Sequence, residues 1–239
     1  MTFFPSFVPL WVSISFLIAI CIPVFMIANL VRKGSNTVRK GKNYSIILGF
    51  YILYLVYVSI GSWNGWFDEL SLPPKILKFT MFPLLLFLLL VVFNLPSYKS
   101  ILAKLSLAAL VRIHIFRLVG SYFLILGLFG ALPLSIALIA GLGDIITALS
   151  SIFVAKALQQ KSAFAKKLTW AWNTFGLLDI IATSSMALYL TYQSIETGVQ
   201  GVEALASFPF SFIPAFAPAT IIFLHLSIYR KLLGHKSFL

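Results

Sequence analysis

The stretch "LSIALIAGLGDIITALSSIFVAKA", residues 134–157, is long and apolar enough to cross a membrane, yet it holds one acid, Asp144, near its middle. A spanning helix needs about 20 apolar residues, each rising about 1.5 Å. The run is continuous rather than alternating, which suits a helix and not a strand of a membrane barrel. A second phrase, "GLLDIIATSS" at 176–185, nearly repeats "GLGDIITALSS" at 141–151 and places Asp179 in the same kind of setting. The two copies lie on consecutive segments that cross in opposite directions, so they do not fit a tandem duplication. What they share is a buried carboxylate.

Working outward, six more segments resemble this one. The full set is about 7–31, 44–63, 76–95, 107–130, 134–157, 168–192 and 209–231. Apolar residues make up 60% of the chain and charged residues 10%, well below the roughly 25% charged of soluble domains. Short connections leave no room for a soluble module. The expectation is an all-α, polytopic membrane protein, one seven-helix bundle filling residues 1–239.

Charge sets the expected orientation. All but Lys75, Lys78 and Arg117 of the 18 Lys and Arg lie after the first, third and fifth segments or at the C-terminal end, where there is no acid. The opposite loops carry Asp68, Glu69, Glu196 and Glu203. Basic loops stay cytoplasmic, which puts the N-terminus outside and the C-terminus inside. The net charge of +12 is then mostly topology, with an attraction to anionic lipid headgroups at that face. Scattered over four short segments, these residues do not form a nucleic-acid surface.

Local signals agree with a membrane chain. The first segment lacks a basic leader and exceeds a signal-peptide core, so it reads as a retained helix. Trp11, Trp63 and Trp66 would mark the outer interface, and Trp170 and Trp172 the inner one. Pro23, Pro83, Pro214 and Pro218 lie within spans, where they free carbonyls that neighbouring groups must satisfy. Tyr51, Tyr54 and Tyr57 spread polar tips over one broad face of the second helix. The segment "FDELSLPP" suggests a short acidic helical turn before a Pro-Pro helix start, and "ETGVQGVEALASFPF" an interfacial helix. Cys21, the one cysteine, is expected to be a packing residue.

Depth singles out the polar residues. Arg117, Asp144 and Asp179 each fall about 10 residues from a helix end, near the midplane, where lone charges are costly and normally pair inside the bundle. One base cannot neutralise two acids, so Arg117 is expected to pair with one of them and leave the other easier to protonate. Gly141 and Thr147 share a face with Asp144, and Gly176 and Thr183 with Asp179, as close-packing and hydrogen-bonding neighbours. A second layer toward the cytoplasm holds His114, Asn173 and His225. Two histidines at one depth on separate helices are expected to approach each other, as hydrogen-bonded groups, proton carriers or ligands of a metal or haem iron.

The stretches "LPPKILKFTMFPLLLFLLL", "HIFRLVG", "GLGDIITAL", "WNTFG" and "FLHLSIYRKLL" resemble motifs of a family of uncharacterised bacterial multi-pass membrane proteins. The resemblance spans the third to seventh helices, and the first two match only in character. It implies a place in the bacterial cytoplasmic (inner) membrane and a shared pattern in His114, Arg117, Asp144, Asn173 and His225. Asp179 is not placed by it. No activity comes with the family.

Three functions fit these residues: a proton-linked carrier of a small solute or ion, a non-transporting assembly, sensor or lipid-binding module, and a haem-linked redox protein using His114 and His225. The topology resembles small sugar carriers and Pro-Gln-loop proteins, but no Pro-Gln pair is present. Retinal is excluded because no lysine stands between 209 and 230. Hydrolase triads, phosphate loops and zinc-protease motifs are missing too, which argues against an enzyme.

Overall fold

A computed structural model describes residues 4–234; Lys236, counted above among the basic ends, lies outside them. Eight helices and no strand are found among the described residues. They are α1 (Leu10–Gly34), α2 (Lys40–Trp63), α3 (Leu77–Asn94), α4 (Pro96–Lys104), α5 (Leu107–Leu128), α6 (Leu134–Gln159), α7 (Ala165–Thr197) and α8 (Phe212–Gly234). All but α4 are long and apolar enough to cross a membrane, so the chain is a helical integral membrane protein.

Span boundaries differ from the expected ones at a few ends. A helical turn at Thr37–Arg39 leads directly into α2, and α7 continues to Thr197, where Gly198 turns the chain in the left-handed region at φ 70°. Between Phe67 and Pro74 there is no helical turn, contrary to the reading of "FDELSLPP". The downstream loop instead makes only a short 3₁₀ turn at Glu203–Ala206. Helix α4 was not expected: Pro96 starts it, and it sets Ile101 and Leu102 against the bundle while Lys99 and Lys104 stay outside.

Packing centres on α6, which lies against α5 and α7, while α8 is the most enclosed span and touches α2, α3, α5 and α7. The outer surface is apolar. Leu53, Leu90, Leu128 and Phe153 are more than 60% exposed, an arrangement that water penalises and hydrocarbon does not. Cys21 also faces outward instead of packing inside. Trp11, Trp63, Trp66 and Trp170 are exposed as belt residues would be, but Trp172 is buried and belongs to the interior.

The tyrosines of α2 bond to its neighbours, and one of them answers a proline. Pro83 has no N–H for the carbonyl of Phe79 four residues before it, and Tyr57 donates its hydroxyl to that oxygen at 3.1 Å. In α8, Tyr54 donates to the carbonyl of Ala215, in the turn that Pro218 interrupts, at 2.9 Å, and Tyr51 meets Thr220 at 3.3 Å. Helix α3 widens into two π-helical turns, Leu77–Met81 and Phe87–Val91, on either side of Pro83.

Candidate functional site

The site begins with a change of helical pitch. Within α5, residues Ile113–Gly120 wind as a 3₁₀ helix, far longer than the three or four residues such segments usually span. At three residues per turn, positions i and i+3 eclipse, so His114, Arg117 and Gly120 form one column facing α6, α7 and α8. The column carries a nitrogen ring, a cation and a gap, in that order.

Arg117 is 2% exposed and bonds through all three of its side-chain nitrogens. Its Nε donates to Asp144 Oδ1 at 2.6 Å and its Nη2 to Asp179 Oδ2. Its Nη1 donates to the carbonyl of Gly176 at 3.0 Å and stands 3.3 Å from His225 Nε2. The expectation of one paired and one free acid is therefore corrected: the planar guanidinium presents donors on separate edges, so a single arginine bridges both carboxylates. With both acids ionised the cluster keeps a formal charge of −1.

Bare glycine surfaces create the room. A Cβ on Gly120 would collide with the carboxylate of Asp144, and one on Gly143 with that of Asp179. A Cβ on Gly176 would come within 2.7 Å of His225 Cε1. The glycines beside the acids in the repeated phrase thus serve partners on other helices, a role sequence spacing did not reveal. Gly141, on the Asp144 face of α6, is the small residue that lets α5 approach there, since a Cβ on it would meet Leu124.

The histidine layer lies next to this cluster. Asn173 Nδ2 donates to the His225 carbonyl at 3.1 Å, so its Oδ1, 2.8 Å from His225 Nδ1, is the acceptor. His225 Nδ1 accordingly carries a proton, and Nε2 presents a lone pair toward Arg117. His114 is fully buried with its ring centroid 4.3 Å from that of His225 and 5.2 Å from that of Trp172. Neither of its nitrogens has a hydrogen-bond partner among the described residues, and Thr147 Oγ1 has none either. Trp172 donates to the Thr147 carbonyl at 3.2 Å and to Ser150 Oγ at 3.0 Å, a structural role absent from the sequence reading.

This geometry does not fit a haem held by the two histidines. Rings 4.3 Å apart are in mutual contact and leave no slot for a porphyrin, and the free lone pair of His225 is turned to a guanidinium. Nor is there, among the described residues, a group of three or more His, Cys, Asp or Glu placed to hold a metal ion.

Two cavities meet above the cluster. An inner one of about 70 Å³ touches Arg117, Asp144 and Thr183 and lies among Pro23, Pro214 and Pro218. That is room for more than one water molecule. A vestibule of about 250 Å³ opens toward the loops and has Asp68, Glu69 and Glu203 in its wall. Leu77, Ala187, Leu205 and Pro214 belong to both walls, so the cavities abut at that ring of side chains. Glu69 pairs with Lys75, while Glu203 is held by Ser194 and by the Gly201 N–H at 2.9 Å.

Residues 74–233 match the model of a family described as a domain of unknown function (DUF8737). The matched stretch contains the whole polar cluster and the histidine layer. No curated protein and no solved structure matches the chain.

Proposed function

The chain belongs to the DUF8737 family, which brings no activity with it, and from the geometry of the polar centre we propose a proton-linked carrier of small solutes. One observation carries this reading: the acid-lined vestibule abuts an inner cavity whose wall includes Arg117 and Asp144. Asp144 lines that cavity and Asp179 does not, so Asp144 is the proton-exchanging group and Asp179 the fixed counter-charge. A formal −1 at the midplane is costly in hydrocarbon, and a proton or a cationic solute relieves it. With Glu69 neutralised by Lys75, the carboxylates of Asp68 and Glu203 in the vestibule favour a cationic solute over an anionic one. With the basic loops in the cytoplasm of a bacterial cell, the vestibule faces outward.

The test is solute-dependent proton movement in proteoliposomes with an internal pH dye, across a panel of small amines. Wild type moves protons with at least one of them, Asp144→Asn does not, and Asp179→Asn is impaired but active. Full flux in Asp144→Asn overturns the assignment, and no flux in wild type overturns the carrier.

A second reading is a non-transporting module, in assembly, sensing or lipid binding, with the cluster as a clasp for α5, α6 and α7. The engagement of all three side-chain nitrogens of a buried Arg117 with protein partners favours it. Under that reading the Asn variants change stability alone.

A further inference from the structure

Away from the polar centre, a third cavity of about 330 Å³ lies between α1, α2, α3, α4 and α8 and shares no lining residue with the other two. Its wall is built from side chains such as Ile27, Leu30, Ile47, Phe50, Leu88 and Leu224. Apart from the exposed Ser97, the polar residues in it are engaged with protein groups. Tyr51 meets Thr220, Tyr98 meets Ser227 at 2.8 Å, and Asn43 donates to Ser35 at 2.8 Å. A void of this size is destabilising when empty, and its apolar wall does not hold water. It opens sideways, because Ile46, Phe87 and Leu95 both line it and are exposed on the apolar surface of the bundle.

The rim of this cavity has one sign of charge. On α2 the lining positions Asn43, Ile47 and Phe50 follow one helical face, and one turn earlier that face carries Arg39 and Lys40. On α8 the lining positions Thr220, Leu224 and Ser227 lead, one turn later, to Arg230 and Lys231. Arg230 lies 4.5 Å over the ring of Phe93, and Lys231 donates to the Leu102 carbonyl at the end of α4 at 2.8 Å. Asp68, Glu69 and Glu203 lie in the loops, and Glu196 in the last turn of α7, at the other end of the helices. An apolar slot beneath a cationic rim, open to the hydrocarbon, is complementary to an anionic amphiphile.

We propose that this cavity holds one acyl chain of an anionic glycerophospholipid, with its phosphate at the rim formed by Arg39, Lys40, Arg230 and Lys231 and with α4 covering the chain. The site is independent of the carrier reading, since it shares no residue with the polar centre. The test is native mass spectrometry of the full chain released from micelles after exposure to equal amounts of phosphatidylglycerol and phosphatidylcholine. Wild type retains one phosphatidylglycerol. Ile47→Trp, which fills the slot, loses it, while the Arg39→Gln and Lys40→Gln double variant loses preference on the order of fivefold per cation removed. Retention of no lipid, equal retention of both headgroups by wild type, or undiminished retention by Ile47→Trp overturns the proposal. Should Ile47→Trp fail to fold, wild type is photolabelled with phosphatidylglycerol bearing a diazirine in its acyl chain. Labelling at the buried Leu88 or Leu224 supports the site, and labelling confined to outward residues such as Leu53 and Phe153 overturns it.

Discussion

Gly143 leaves open the space that the Asp179 carboxylate occupies, so the ion pair between Asp179 and Arg117 depends on position 143 having no side chain. Gly143→Ala is expected to push that carboxylate off the guanidinium and to destabilise the bundle by about 1–3 kcal/mol. In an Asp179→Ala background the same substitution should cost much less, because the clash is gone. Thermal unfolding in detergent of the two single variants and the double variant measures the difference; equal costs in both backgrounds would show that Gly143 acts elsewhere.

Arg117→Met removes the one cation shared by two buried carboxylates. A loss of about 3–5 kcal/mol is expected, since breaking a buried pair strands its partners. Adding Asp144→Asn and Asp179→Asn should recover part of it. Failure of the triple variant to exceed the single one in melting temperature would rule out stranded charge as the cause.

The Tyr57 hydroxyl reaches the Phe79 carbonyl that Pro83 leaves without its helical donor. Tyr57→Phe should cost about 1 kcal/mol in the membrane. After Pro83→Ala, which supplies an N–H four residues on, the same change should be nearly neutral. A double-mutant cycle followed by unfolding in mixed micelles reads this coupling directly.

Asn173 and His225 bond each other twice, amide to carbonyl and ring to amide oxygen. Asn173→Leu leaves the Nδ1–H of His225 without an acceptor and should cost about 1–3 kcal/mol. It should also free the ring to rotate away from Arg117. The imidazole nitrogen chemical shifts, read by NMR on labelled protein, should then depart from the single-tautomer pattern of wild type.

Topology is a separate expectation, carried by the basic and acidic loops. In a Cys21→Ser background, a cysteine at position 40 should react with an impermeant maleimide only after the membrane is opened, and one at position 68 in intact cells. The opposite pattern would reverse the bundle and place the vestibule inside.

The seven spans and the approach of His114 to His225 were readable from the chain, because hydrophobic length and helical rise are local quantities. Proline positions likewise announced that carbonyls would need donors. Which donors answer them depended on how the helices pack, and so Tyr57 could not be assigned to Phe79 beforehand. The same holds for the cluster. Charge counting implied one paired and one unpaired acid, whereas three helices converge closely enough for a single guanidinium to meet both. That convergence rests on the eight-residue 3₁₀ column of α5 and on bare glycine backbone at positions 120 and 143. Helical pitch within an apolar run and the atom opposite a glycine are set by contacts between helices distant in sequence, so only the tertiary structure decides them.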